Sequence, residues 1–131
     1  MASTSPRGTP GLAAADAFIE AHYARPVSVA RLARVAGLTP WHFIRAFRAQ
    51  FGTTPHQRLR DRRIARAQHL LATTPMPVTQ VSAAVGFRSL GSFSRIFKHA
   101  TGASPSAFRA RRRRPVTIPS CFVRMYRAGR A

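Results

Sequence analysis

Side chains suited to nucleic acid recur with the same spacing in two parts of the chain. Arg45 and Arg48 in the first part correspond to Arg95 and Lys98 in the second, 50 positions further on. A guanidinium group can donate two hydrogen bonds to one guanine edge, and a cation one helical turn away is suited to a phosphate. These residue types therefore predict recognition of a polyanion.

Residues with catalytic or metal-binding side chains show no such arrangement. The five histidines are scattered over different predicted helices, without metal-ligand spacing or carboxylate partners, and Cys121 is the single cysteine. The sequence also lacks a glycine-rich phosphate loop. We therefore predict no catalytic residue, no metal site, no cofactor and no enzymatic activity. Cys121 is interpreted as a plain tail cysteine, with a redox switch as the alternative.

The charge balance is strongly basic. The chain has 22 lysine and arginine residues and three acidic ones, a formal charge of +19. Such a protein repels itself until a polyanion binds, and DNA, RNA and an anionic membrane surface are the candidates. A GC-rich genome is a second explanation for the arginine excess. The hydrophobic fraction of 45% favours a folded protein. Because neither a membrane span nor a signal peptide is apparent, we predict a cytoplasmic, nucleoid-associated protein with no membrane partner.

An internal repeat accounts for the matched spacing. Two segments align at an offset of 50, and the residues upstream of them align at 49. The one-residue difference falls just before the second helix of each unit, where a turn can absorb an insertion. The chain therefore contains one supersecondary unit twice. The matches include Phe43 to Arg48 with Phe93 to Lys98, Gly52 with Gly102, Pro55 with Pro105, Leu32 with Val81 and Gly37 with Gly86.

Each unit has the pattern of a helix, a turn and a second helix. A serine or threonine at the start of a helix satisfies exposed N–H groups, and a glycine at its end adopts the positive φ of a tight turn. These signals predict two helices per unit. The predicted caps are Ser28, Thr39 and Ser89, the turn glycines are Gly37 and Gly86, the short helices end near Ala36 and Val85, and the second helices end at Gly52 and Gly102.

Three further helices complete an all-α fold of seven helices, in which a long linker helix joins two helix-turn-helix subdomains. The first is predicted over 13–24 and the last over 105–111. The linker, over 55–72, buries a stripe that includes Leu59, Ile64 and Leu71, with its arginines on the opposite side. The predicted organisation is a disordered tail over 1–11, a first subdomain over 12–54, the linker over 55–73, a second subdomain over 74–114 and a tail of unknown role over 115–131.

The second helix of each unit has an apolar face and an outward face. Phe43, Phe47 and Phe51 are spaced four apart and predict a buried stripe, as do the inward residues 93, 96, 97 and 100 of the second unit. The DNA major groove admits a helix, so the outward residues near its start are expected to meet base edges. The predicted outward residues are Trp41, Ile44, Arg45 and Arg48, then Leu90, Gly91, Ser94, Arg95 and Lys98; Thr39, Arg48, Ser89 and Lys98 are the predicted phosphate contacts.

Several of these residues have a second interpretation. Trp41 is alternatively a partly buried packing residue. Arg45 and Arg95 are alternatively phosphate contacts or members of internal ion pairs. Since Leu90 and Gly91 are weak base readers, the second unit is expected to add more positioning than specificity.

The second unit also carries a run of residues similar to the signature of a known family. The run comprises Gly86-Phe87, Phe93 to Lys98, Gly102, Ser104-Pro105 and Phe108-Arg109. The first unit repeats it in weaker form, and Arg63-Ile64, Ala67 and Leu70-Leu71 are similar to the linker helix of that family. From about Asp16 to Arg109, the chain resembles the AraC/XylS family DNA-binding domain.

This resemblance implies a function and a set of contacts. It implies transcription activation, commonly through contact with RNA polymerase, with two reading helices in adjacent major grooves of double-stranded DNA. Arg58 replaces an aromatic residue of the family, Ser82 replaces an alanine, and Gly91-Ser92 replaces Ser-Tyr. The base-contacting positions of the family correspond to Trp41, Ile44, Arg45, Leu90, Gly91, Ser94 and Arg95.

The sequence favours a sequence-specific transcription regulator, and a non-specific architectural nucleoid protein is the alternative. An enzyme acting on DNA is the least favoured class. Two units in one chain remove the need for a dimer, so a monomer on a non-palindromic site is expected. Too few residues precede the first predicted helix for a sensor domain, so the chain resembles stand-alone members of the family. The basic run 111–114 and the apolar segment after Pro115 are open to more than one role.

Overall fold

The computed structural model describes residues 10–113, and all the regular elements within them are α-helices. Seven helices are present in this range, which confirms the predicted all-α fold of two helix-turn-helix units and a long linker helix. They are α1 (Pro10–His22), α2 (Val29–Ala36), α3 (Pro40–Phe51), α4 (Pro55–Thr73), α5 (Val78–Ala84), α6 (Leu90–Thr101) and α7 (Pro105–Arg113).

The chain divides into two compact units inside α4, between Arg62 and Arg63. The first unit therefore contains α1, α2, α3 and the start of α4, and the second contains the rest of α4 with α5, α6 and α7. The subdomain bounds predicted from the sequence remain a prediction, and residues 115–131 of the predicted C-terminal tail lie outside the described range. All three acidic residues of the chain precede Arg63, so the second unit contains no carboxylate side chain.

The turn between the two helices is the same in both units. Gly37 has φ of 74°, and Gly86 has φ of 101°. The Gly37 N–H donates to the Arg34 carbonyl at 3.1 Å, and the Leu38 N–H donates to the Ala33 carbonyl at 2.9 Å. The residues 49 positions later repeat both bonds. This pair of bonds satisfies carbonyls at the end of a helix, and the positive φ it requires favours glycine.

The predicted extra residue lies after this turn. One residue, Leu38, separates Gly37 from the N-cap Thr39 of α3, whereas two separate Gly86 from the N-cap Ser89 of α6. The change in offset from 49 to 50 is therefore absorbed between the turn and the second helix of each unit, α3 or α6.

The core of the first unit is formed by one face from each of its helices. Phe43 and Phe47 of α3 are fully buried, with ring centroids 5.5 Å apart. Phe51, predicted as the third member of this stripe, is only half-buried because it lies at the last residue of the helix. The buried cluster consists of Leu12, Ala15, Ile19, Leu32, Ala33, Ala36, Phe43, Phe47 and Leu59.

Two ion pairs join α1 to the start of α4. The Arg58 guanidinium donates to both carboxylate oxygens of Asp16, at 2.8 and 3.1 Å, and this hydrogen bonding raises the pKa of Arg58. One turn further along both helices, Arg62 donates to Glu20 at 2.9 Å. The linker arginines were expected on a face opposite the core; Arg58, Arg62 and Arg63 are instead half-buried, since the first two are drawn to carboxylates on α1.

The second unit has an aromatic residue where the first has Arg58. Phe108 of α7, 50 positions later, is 4% exposed and packs edge-on against Phe97 at 5.4 Å between ring centroids. Arg63 lies over the Phe87 ring, and burial lowers the pKa of its guanidinium. The buried cluster consists of Ile64, Ala67, Leu70, Leu71, Val81, Val85, Phe93, Phe97, Ala103 and Phe108.

Arg109 fastens α7 to the end of α4. Its guanidinium donates to the backbone carbonyls of Leu71, Thr74 and Met76, at 3.1, 3.3 and 2.5 Å. These carbonyls lie at and beyond the end of the helix, where intrahelical donors are lacking. Arg109 therefore stabilises this unit.

The first helix begins earlier than the sequence indicated. It starts at Pro10 rather than Ala13, so Pro10 and Gly11, expected in a disordered tail, are helical. Proline is compatible with the first turn of a helix because an N–H at that position would have no intrahelical acceptor. A Cβ on Gly11 would lie 2.1 Å from the carbonyl oxygen of Ala36, so this glycine permits a close approach of α1 to the end of α2.

Candidate nucleic-acid interface

The second helix of each unit, α3 or α6, is called its recognition helix below, and a side-chain hydroxyl fixes the start of each. Thr39 accepts the backbone N–H of His42 at 3.4 Å, and Ser89 accepts that of Ser92 at 3.0 Å. Both caps have extended backbone, as the predicted N-caps require. Because each oxygen accepts from the helix, the hydroxyl hydrogen of each exposed residue is directed elsewhere and can be donated to an anion.

The exposed face of α3 contains all four predicted residues of the first unit. Trp41 is 65% exposed and Ile44 is 37% exposed, so the alternative of Trp41 as a packing residue is wrong. Arg45 and Arg48 are exposed on the same face, because their spacing from Trp41 corresponds to one and two helical turns. The burial of Phe43 and Phe47 holds the opposite face against the core. The structure thus brings an indole, an aliphatic side chain and two guanidinium groups together on one surface.

Two of these side chains are in direct contact. The Arg45 guanidinium carbon lies 4.6 Å from the ring centroid of Trp41, within the range of a cation–π interaction. The Trp41 ring also meets the His42 ring edge-on, at 5.9 Å between centroids. The i, i+4 spacing of Trp41 and Arg45 was visible in the sequence and is the signal by which this contact could have been predicted.

The exposed face of α6 is sparser. Leu90 is 43% exposed, and a Cβ built on Gly91 would meet nothing within 4 Å. Arg95 and Lys98 are exposed, whereas Ser94, expected outward, is half-buried. Ala100, expected inward, is exposed, since it lies close to the end of the helix and outside the stripe formed by the phenylalanines.

Other site types receive no support from the described residues. Within 10–113, no group of three or more histidine, cysteine or acidic residues is arranged to hold a metal. No helix in this range has both the length and the apolar character needed to cross a membrane. The largest exposed apolar side chains of the range, Trp41, Ile44 and Leu90, all lie on the two recognition helices.

Similarity to known proteins agrees with this geometry. The family model described as a helix-turn-helix domain matches residues 32–111. The probable transcriptional regulator LumQ of Photobacterium leiognathi is 39% identical over 93 residues, which cover 71% of this chain and 38% of that protein. The arabinose operon regulatory protein of Escherichia coli is 44% identical over 82 residues, 63% of this chain and 28% of that protein. The chain thus spans about a third of the length of these curated relatives.

Solved structures share the fold. An AraC-type transcriptional regulator from Chromobacterium violaceum has a TM-score of 0.74 and 30% identity over 82% of this chain and 96% of that one. The DNA-binding domain of AdpA, crystallised with a target DNA, has a TM-score of 0.75 and 36% identity over 81% of this chain and 97% of that one.

The repeated helix-turn-helix geometry and these matches define a DNA-binding protein of the helix-turn-helix class. The class is one of transcription regulators and not of enzymes, as the sequence predicted. Within it, the chain belongs to the AraC/XylS family. The resemblance noted in the sequence is therefore confirmed.

Proposed function

We propose that the chain is a sequence-specific regulator of transcription that reads double-stranded DNA with α3 and α6 in adjacent major grooves. The observation that carries the proposal is that the two helices have the same pattern of capped, buried and exposed residues. Each begins at a hydroxyl cap, buries a pair of phenylalanines and exposes an arginine as its sixth residue, Arg45 in α3 and Arg95 in α6. In a helix docked by its N-terminal end, these residues face base edges.

The first unit provides the richer base contacts in this proposal. Arg45 donates to a guanine edge, and the exposed apolar surfaces of Trp41 and Ile44 contact thymine methyl groups. In the second unit, Arg95 takes guanine, Ser94 donates to a base from its half-buried position, and Gly91, which has no side chain, allows close approach. The second unit therefore adds more positioning than specificity.

Phosphate contacts flank the base contacts. The hydroxyl hydrogens of Thr39 and Ser89 are available to donate at the helix N-terminus, where the backbone dipoles also favour an anion. Arg48 and Lys98 lie one helical turn beyond the base-reading arginines and contact phosphates of the DNA backbone. Such contacts release counterions and make binding strongly dependent on salt.

In this proposal, the linker helix has to connect contacts in two successive major grooves. Helix α4 has 19 residues, and a helix of that size is about 28 Å long. Successive major grooves on one face of B-DNA are about 34 Å apart. A modest bend of the DNA, at about 1–6 kcal/mol, accommodates the remaining mismatch. One chain then occupies an asymmetric site as a monomer in the cytoplasm, where the nucleoid lies.

We further propose activation as the regulatory outcome, through contact with RNA polymerase. The support is the resemblance to the AraC/XylS family, which implies activation, commonly through contact with RNA polymerase; the two curated relatives named above are regulators, and each is longer than this chain. A reporter whose promoter carries the selected site tests the direction: expression rises with activation and falls with repression.

Selection of bound duplexes from a random pool is the experiment that tests the proposed function. The enriched sequence and a scrambled duplex are then titrated with the protein at about 50 and 200 mM salt. We expect an enriched site with two unequal halves and a specific affinity at least a thousandfold above the scrambled one. A ratio near one at the higher salt would instead identify an architectural protein, for which a charge of +19 supplies binding to any duplex.

A further inference from the structure

The contact between Trp41 and Arg45 distinguishes the two recognition helices. Arg45 lies 4.6 Å from the Trp41 ring centroid, although both side chains are exposed. The residue at the equivalent place before Arg95 is Gly91, which has no side chain. Arg45 and Arg95 therefore occupy matched positions, but only Arg45 has an aromatic ring one turn before it to contact.

An exposed arginine loses several rotamers when it binds a base edge, and this loss opposes binding. Stacking on a rigid indole restricts those rotamers before DNA arrives. A guanidinium group that lies with one face on an aromatic ring keeps its N–H groups available, because these donors lie in the plane of the group. The stack thus leaves the fork for guanine intact.

We propose that Trp41 is a positioning residue for Arg45, which it holds ready for guanine, so that the discrimination of guanine by Arg45 depends on the indole. The inference rests on the proposed function, since it assumes that α3 enters a major groove. It extends that function because it assigns Trp41 a role beyond its own contact with a base.

The test uses duplexes in which single guanines of the selected site are replaced by 7-deazaguanine, which lacks the N7 acceptor. The guanine read by Arg45 is the one whose replacement weakens the unaltered protein but not Arg45→Ala. Discrimination at that guanine is then measured in Trp41→Ala, Trp41→Leu and Trp41→Phe, with helicity and thermal midpoint recorded for each variant.

An exposed cation–π contact is worth about 0.5–1 kcal/mol, which corresponds to a factor of about two to five. We expect the 7-deazaguanine penalty to fall by this factor in Trp41→Ala and Trp41→Leu and by less in Trp41→Phe. Leucine retains apolar contact with a thymine methyl, so it separates stacking from that contact. Guanines read by the second unit serve as the internal control and should keep their full penalty.

A second control is His42→Ala, which removes the other ring against Trp41 and should leave the penalty intact. The inference is overturned if Trp41→Ala weakens binding while the Arg45-dependent penalty keeps its full size. It is also overturned if no guanine depends on Arg45. Failure of the proposed function is a separate result, because then the selection yields no preferred site in which to place the analogue.

Discussion

The two units use the same turn but hold their last helical segment by different means. In the first, Arg58 pairs with Asp16 on α1; in the second, Phe108 is buried against Phe97 and Arg109 bonds to backbone carbonyls. The turn has one solution because its backbone geometry demands glycine and a fixed pair of hydrogen bonds. The last helical segment of a unit can be held by an ion pair or by an aromatic ring. The helix it packs against must then carry a matching residue, which is Asp16 for Arg58 and Phe97 for Phe108.

The two recognition helices match in their buried residues and differ in their exposed ones. Both bury two phenylalanines, at positions 43 and 47 or 93 and 97. Their outward faces share an arginine and a cation one turn later but little else. The comparison indicates that the matched buried pattern keeps the same face of each helix outward, while the outward residues themselves differ.

The largest expected effect comes from removing a core ring in one unit. Phe47→Ala and Phe97→Ala each delete a fully buried side chain, and such changes cost about 3–5 kcal/mol. If the units are stabilised separately, amide hydrogen exchange should accelerate mainly in the unit that carries the change. Equal acceleration throughout 10–113 in both variants would show that the division within α4 has no energetic counterpart.

A pair of glycines gives the next effect, with opposite signs in the two units. Gly11 and Gly91 are each the second residue of a helix. Gly11→Ala places a methyl group against the Ala36 carbonyl and should cost about 1–3 kcal/mol through overpacking. Gly91→Ala meets open space and should stabilise by up to about 1 kcal/mol.

Urea denaturation monitored by circular dichroism measures both variants against the unaltered chain. A stability for Gly11→Ala equal to that of Gly91→Ala would mean that α1 shifts freely along α2. The close approach at Gly11 would then have no role in the first unit.

Base reading should also differ between the units. Arg45→Ala should relax preference at particular base pairs in one half of the selected site, by about 1–3 kcal/mol of discrimination. Arg95→Ala should relax the other half by less, because Gly91 offers its side chain no support. Repeated selection with each variant measures both profiles. Uniform weakening across all sequences would identify the substituted arginine as a phosphate contact.

The smallest expected effect concerns the ion pairs of the first unit. A double-mutant cycle with Asp16→Asn and Arg58→Gln should give a coupling of about 1 kcal/mol, since the pair is bidentate and its side chains are about one-fifth exposed. The cycle with Glu20→Gln and Arg62→Gln should give less, because those side chains are 43% and 33% exposed.

Repeating the two cycles at high salt checks the assignment. Both couplings should fall, the more exposed pair by the larger fraction. Equal couplings at every salt concentration would contradict the link between burial and strength.

The local part of this structure was predictable from the sequence. The caps at Ser28, Thr39 and Ser89 and the positive φ of Gly37 and Gly86 are confirmed, because each depends on residue type within a few positions. The duplication strengthened these predictions, since each unit serves as a second copy of the evidence.

What depends on contacts distant in sequence was missed. The partner of Arg58 lies 42 positions away, and the carbonyls bound by Arg109 lie 33 to 38 positions away. The exchange of Phe108 for Arg58 between copies was the one available signal of an ion pair. For the interface, the pattern predicted the exposed face of α3. The i, i+4 spacing of Trp41 and Arg45 indicated that the two side chains can meet, but a helical wheel does not give the rotamers that bring them into contact.

Because no acidic side chain follows Asp61, the stability of the second unit should depend on whether an anion is bound. The basic side chains of this unit repel one another, and the unit has no acidic side chain to offset that repulsion. A bound polyanion would reduce the repulsion. If this unit binds DNA as proposed, a ligand at a hundred times its Kd adds about 2.7 kcal/mol to its stability. Copies that leave the DNA are then the ones most open to proteases, and the number of occupied sites helps to set how long the protein persists.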